Sequence, residues 1–209
     1  MDFHQILGFA FIAFLMVLTP GPNMIYLISR SICQGRKAGL ISLSGVVLGF
    51  VFYMLCAALG ISALLFAIPY AYDAIRILGA IYLLWLAWSA IKPSAKSLFQ
   101  PQKLQEDGAI KLFLMGFLTN LLNPKIAIMY LSLLPQFIRP EQGTIFLQTV
   151  LLGFTQIIIS ISVNALIVFT AGYVALILSK KPQWIKIQKW IMGTVLAGLA
   201  VKLIFEHKH

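Results

Sequence analysis

Six long apolar runs constrain this chain of 209 residues more than any motif it carries. Their bounds fall near residues 3–28, 39–68, 74–91, 111–134, 145–178 and 185–205. A helix that crosses the hydrocarbon core of a bilayer needs about 20 such residues. The expected fold is all-α: a polytopic membrane protein with six transmembrane helices in a single transmembrane domain. The second and fifth runs exceed the minimum, which implies tilting, bending or extension past the bilayer. Composition agrees. The chain is 60% apolar and 11% charged, against roughly half and a quarter in soluble domains. Its start, MDFHQILGF, has no basic region, and no small-residue cleavage site follows. The first run is therefore expected to be retained as a span rather than removed as a signal peptide.

The formal net charge of +10 does not point to nucleic acid. Basic residues for that purpose would cluster on a polar face among aromatics; here they occupy short stretches between apolar runs. The stretches after the first, third and fifth runs carry Arg30, Arg36, Lys37, Lys92, Lys96, Lys103, Lys111, Lys180, Lys181, Lys186 and Lys189. The other side carries Arg76, Arg139, Lys202 and Lys208. Eleven against four puts the first group in the cytoplasm and both termini on the outer side. Trp85, Trp88, Trp184 and Trp190 read as anchors at the cytoplasmic interface.

The chain also repeats itself. At an offset of 104 residues Thr19-Pro20 meets Asn123-Pro124, Tyr26-Leu27 meets Tyr130-Leu131, and Val46–Phe50 meets Val150–Phe154. The halves are residues about 3–91 and about 111–205, joined by a cytoplasmic linker at about 92–110. Three spans is an odd number, so the second half enters from the opposite face. Such inverted repeats are a signature of secondary transporters; an ordinary six-helix bundle is the plainer alternative.

Inside the first run stands Leu-Thr-Pro-Gly-Pro-Asn-Met, residues 18–24, and at the matching place in the fourth stands Thr-Asn-Leu-Leu-Asn-Pro-Lys, residues 119–125. Proline removes a helix hydrogen bond and clashes with the preceding turn. In lipid the freed backbone groups survive only against protein or a wet cavity. Helices 1 and 4 are thus expected to break just past mid-membrane, with two new half-helices beginning near Asn23 and Ile126. Their N-termini, with free N–H groups and positive dipole ends, suit a carboxylate, and Lys125 adds a full charge at that depth. The first halves end near Leu18 and Leu122 with free carbonyls that suit an ammonium. Together these features describe a site for a zwitterion.

The expected substrate-binding residues are Thr19, Pro20, Gly21, Pro22, Asn23, Asn120, Asn123, Pro124 and Lys125. Tyr26, Tyr130, Gln156 and Asn164 are candidates for lining the cavity. Plainer roles stand beside these: simple proline kinks, a snorkelling Lys125, asparagines that patch broken backbone, a Gln156 and Asn164 that join helix to helix, and tyrosines that only pack. Gly45, Gly49 and Gly60 suit close helix contact better than ligand binding.

The runs L-T-P-G-P-N-M at 18–24, G-F-L-T-N-L-L-N-P-K at 116–125 with L-P-Q-F at 134–137, and L-G-A-I-Y-L-L-W-L-A-W at 78–88 resemble the LysE/RhtB-type amino-acid exporters. The likeness spans nearly the whole chain in order. It implies efflux of amino acids or related metabolites across a bacterial inner membrane, driven by the proton gradient. It also implies that Thr19, Pro20, Gly21, Pro22 and Asn23, with Asn123, Pro124 and Lys125, form the transport site. One departure bears on substrate. Many members carry an acid or histidine after the second-span glycine, whereas Gly49 here is followed by Phe50, Val51, Phe52 and Tyr53. All six acids, Asp2, Asp73, Glu106, Asp107, Glu141 and Glu206, lie in termini, loops or span ends. A cationic side chain would lack a counter-charge, so a neutral amino acid such as threonine, homoserine or a branched-chain type is expected.

The competing class is a solute exporter or channel of another kind, metal ions included, although mid-membrane acids and thiolates to hold a metal are scarce. An enzymatic role is not expected. A thiol-redox carrier would need paired cysteines, and Cys33 and Cys56 form no C-x-x-C pair. No cofactor is expected. The expected partners are a small amino acid, protons and membrane lipid, not nucleic acid, and a homodimer is compatible with such a chain.

Overall fold

The computed structural model describes residues 1–19, 21–67, 77–81, 83–85, 87–88 and 106–178, and residues 190, 193, 194, 197, 198, 200, 201, 204 and 205 near the C-terminus. All regular structure among them is helical. The first helix, α1 (Phe3–Leu18), stops where Thr19 turns extended, at φ −72° and ψ 128°. The next, α2 (Pro22–Ala67), starts on a proline, a residue suited to a first turn whose N–H groups are unpaired anyway. The break expected in the first run is therefore present at residues 19–21. Pro20 itself lies outside the described residues.

The junction expected at residues 29–37 is present but shorter than the polar stretch suggests: two helical arms of α2 meet there at a kink at Gly35, with φ 83° and ψ 174°. Only glycine adopts that φ cheaply. The stretch is polar, yet its Arg, Gln and Lys are good helix formers, and Ser31 Oγ bonds back to the Leu27 carbonyl at 2.7 Å. Its polarity therefore marks the join between two helical arms, with the break confined to Gly35.

In the second half α3 (Ala109–Leu121) is followed by α4 (Pro124–Ile128), and the helical stretch Pro124–Phe137 that α4 begins is bent by 49° from α3. After α4 the chain widens into a π turn (Met129–Leu133) and then tightens into a 3-10 turn (Leu134–Phe137). Pro135, which has no N–H to give, sits in that tightened turn. A further 3-10 turn (Pro140–Gln142) leads into α5 (Ile145–Leu178), which coincides with the fifth expected span. Among the described residues, Pro22–Gly60 and Ile145–Ala171 are each long and apolar enough to cross a membrane, and the bent pair counts as a third such span. The described parts of the third and sixth runs are helical, but much of both lies outside the described residues.

α2 packs against α3 and α5, and α5 also against α1. The α2–α3 crossing is backbone on backbone. A β-carbon on Gly45 would lie 2.0 Å from the Phe113 carbonyl oxygen, and one on Gly116 would lie 2.2 Å from that of Ser42. Small residues bring membrane helices this close. Gly49 gives the same closeness to Asn120, while Gly60 meets nothing described within 4 Å. Phe9, Val46, Phe50, Tyr130 and Leu152 fill the centre, and the outer faces carry exposed Phe11, Leu55, Leu147 and Ile158. Trp85, Trp88 and Trp190 are exposed; Trp184 lies outside the described residues.

Candidate functional site

The two breaks meet. Lys125, the second residue of α4, crosses to the end of α1 and is buried there at 6% exposure. Its Nζ donates to the carbonyls of Met16 (2.9 Å) and Thr19 (2.6 Å) and to Thr19 Oγ1 (3.2 Å). Thr19 Oγ1 in turn donates to the Met16 carbonyl at 2.7 Å. Gly21 makes room for the amine, since a β-carbon there would stand 3.2 Å from both Cε and Nζ of Lys125. A buried ammonium is tolerated only when hydrogen-bonded, and a helix C-terminus, with its unpaired carbonyls and negative dipole end, supplies the acceptors. The expectation that these α1 carbonyls stand free is thus corrected: they are occupied by the chain's own amine.

The second break has its own local logic. Asn123 caps α4, its side-chain oxygen accepting from the Lys125 N–H at 3.1 Å, with Pro124 in the first turn. The carbonyl of Leu121, at the end of α3, accepts from Tyr53 Oη at 2.8 Å. Asn123 therefore does patch broken backbone. Asn23 Oδ1, Asn123 Nδ2 and both polar atoms of Asn120 are buried without a partner among the described residues. Such atoms are costly unless something completes them.

Beside Lys125 lies a cavity of about 20 Å³, room for about one water. Its apolar wall is Ala13, Met16 and Val17 of α1, Met24 and Phe50 of α2, and Ile126 and Met129 beyond the second break. Asn23, Lys125, Gln156 and Asn164 supply its polar groups. Gln156 and Asn164 fill both roles weighed for them. They line the cavity, and Gln156 also ties α5 across, accepting from Tyr130 Oη at 2.7 Å and donating to Ser160 Oγ at 2.7 Å. Asn164 donates to the Ser160 carbonyl at 2.8 Å.

Tyr26 and Tyr130 are not among the cavity's lining residues. Tyr130 is fully buried and stacks on Tyr53 with ring centroids 5.7 Å apart. Tyr26 donates to the Leu112 carbonyl at 2.8 Å and lies under the Arg30 guanidinium. Thr19, Gly21, Asn120 and Asn123 shape the surroundings without lining the cavity, and Pro22 and Pro124 start the two helices. The sequence does not single out the apolar lining. A signal existed in α1, where Ala13, Met16 and Val17 fall at helical spacing on the face that leads to the break.

A polar cluster that the sequence does not reveal closes one end of the bundle. Arg30, buried on the first arm of α2, pairs with Asp107 Oδ2 at 2.7 Å and donates to Gln34 Oε1 at 3.0 Å. Gln34 Nε2 donates to the Asp107 carbonyl at 3.2 Å, and Lys111 also pairs with Asp107. These contacts tie the first half of the chain to the segment just before α3. Asp107 stands outside the spans. The hydrogen bond from Lys111 and then the Arg30 charge hold its carboxyl below the usual carboxylate range.

Residues 14–207 match the LysE type translocator family. The chain is 30% identical over 205 residues to a leucine efflux protein of Enterobacter sp., covering 93% of this chain and 92% of that protein. A leucine efflux protein of Klebsiella pneumoniae is 26% identical over 191 residues, covering 91% and 90%. The uncharacterized membrane protein YrhP of Bacillus subtilis is 28% identical over 209 residues, covering 95% and 98%. No solved structure matches the chain. With a buried amine joining two broken helices and a family match over most of its length, the chain belongs to the LysE type translocator family, a membrane translocator and not an enzyme.

Proposed function

We propose that this translocator exports a neutral amino acid with an apolar side chain, leucine being the first candidate, from the cytoplasm in exchange for protons. The observation that carries this reading is the composition of the central cavity. It sets an aliphatic, thioether and aromatic wall against Lys125, Asn23, Gln156 and Asn164, with no carboxylate among its lining residues. Such a wall favours an apolar side chain at about 0.8 kcal/mol per buried CH₂, and a basic side chain would find no counter-charge. Relatives of this length and identity are named leucine efflux proteins.

In this reading the N-terminus of α2, with Gly21, Pro22 and Asn23, receives the substrate carboxylate together with Lys125, and Thr19, Asn123 and Pro124 hold the two breaks in place. Pro20 and Asn120 complete the set. A cavity with room for about one water cannot hold an amino acid, so loading requires the two halves to move apart. Inverted repeats that rock about a fixed central site do this. The basic end, with Arg30 and Lys111, faces the cytoplasm of a bacterial inner membrane, and both termini face outward.

Cells preloaded with a panel of amino acids and a divalent metal test the reading. Expression should speed the exit of leucine and similar neutral amino acids and not of lysine or the metal. Efflux of metal without amino acid would replace this reading with the metal-exporter alternative. Lys125→Ala protein should reach the membrane in normal amount and leave efflux at background.

A further inference from the structure

The end of α1 forms a seat for a primary ammonium, and the seat is already filled. Three oxygens, the Met16 and Thr19 carbonyls and Thr19 Oγ1, converge on Lys125 Nζ at 2.6–3.2 Å. Three acceptors match the three N–H donors of an ammonium. The occupant arrives from the other half of the chain on a flexible four-carbon stem, and Gly21 leaves open the space beside it. The adjoining cavity is lined by no other cation and by no carboxylate, and Asn23 Oδ1 waits there, buried and without a described partner.

We propose that Lys125 is a tethered stand-in for the substrate's own ammonium. When a zwitterion binds, its –NH₃⁺ takes the Met16–Thr19 seat and Lys125 Nζ turns onto its carboxylate. The proposal rests on the amino-acid reading above and names how that site recognises both ends of its substrate. No covalent bond changes. Before the exchange one buried cation satisfies the α1 carbonyls. After it the substrate cation satisfies them, and the lysine cation is paired with the carboxylate that arrived. A free amine would set a second cation against the first, and a free carboxylate would draw Lys125 away and leave the carbonyls bare. Only a ligand with both ends leaves neither a buried charge nor the α1 carbonyls without a partner, and the apolar wall then selects its side chain.

Calorimetric binding to the purified full-length chain in detergent tests this with leucine, 3-methylbutylamine and 4-methylpentanoate. The native chain should bind leucine and take each single-ended analogue at least about 100-fold more weakly, the amine because it adds an unpaired buried charge and the carboxylate because it leaves two buried carbonyls without a donor. Lys125→Met keeps the length and loses the amine, so the pattern should invert. The variant should bind 3-methylbutylamine at least about tenfold more tightly than the native chain does, and in preference to leucine. Gel filtration and thermal unfolding establish that the variant is folded. Thr19→Val, which removes one oxygen of the seat, should weaken leucine binding and keep the native order of ligands.

Native protein that binds the amine as tightly as leucine overturns the proposal, and this arm decides even if Lys125→Met does not fold. A folded Lys125→Met with no gain for the amine also overturns it. Leucine export that persists alongside either result sinks the exchange alone. Failure of any neutral amino acid to leave loaded cells sinks the export reading beneath it.

Discussion

Lys125 and Tyr53 do similar work at the two breaks: each brings a donor to carbonyls that an ended helix leaves open. The sequence showed the depth of Lys125, next to the Asn123-Pro124 pair that meets Thr19-Pro20 at the 104-residue offset. It could not show that the amine turns toward α1, because that depends on how the halves pack. Tyr53 carried no signal, since a tyrosine at a span position reads equally as packing. Removing its hydroxyl tests its role. Tyr53→Phe leaves the part-buried Leu121 carbonyl without that donor and should cost about 0.5–1.5 kcal/mol, read as a lower unfolding temperature in detergent. Leucine binding should change little, because Tyr53 is not among the cavity's lining residues.

At the scale of elements, breaks caused by proline were legible, and so was the full extent of α5, because apolar length and a missing N–H are local properties. The junction within residues 29–37 was legible too, but not its brevity: polarity there marks a surface, and the two helical arms meet at the single non-helical residue Gly35. The α2–α3 crossing depends on Gly45 and Gly116; the sequence suggested close contact at Gly45 without naming the partner helix and did not single out Gly116. Gly116→Val would drive a branched side chain into the Ser42 backbone and should destabilise by about 1–3 kcal/mol or more, with loss of folded protein on gel filtration. Arg30 and Asp107, 77 positions apart, show no local pattern at all. Asp107→Asn should lower the unfolding temperature by freeing Arg30 from its ion pair. The pH dependence has a definite sign. A carboxylate whose folded pKa lies below its unfolded value stabilises the fold above that unfolded value, ~3.9, and the contribution fades as pH falls through the lower folded value. The gap between native and Asp107→Asn should therefore stay constant from about pH 8 to 5 and close only below about pH 4.

At the scale of the whole molecule, composition and apolar run length made the all-helical membrane class legible. The resemblance named in the sequence agrees with the family match over residues 14–207. Much of the third and sixth apolar runs lies outside the described residues, so the inverted repeat belongs to the proposal, supported by the matched breaks. The proposed export site requires residues from both breaks to line one cavity. Met24, from the first break, and Ile126, from the second, both line it, whereas Ile25 is 45% exposed on the outer face. In a chain lacking Cys33 and Cys56, single cysteines at 24, 126 and 25 should be assayed with a thiol reagent in the presence of increasing leucine. Leucine should slow modification at 24 and 126 with the same half-saturating concentration and leave 25 unaffected. Protection at only one break, or at neither while leucine is still exported, would contradict it.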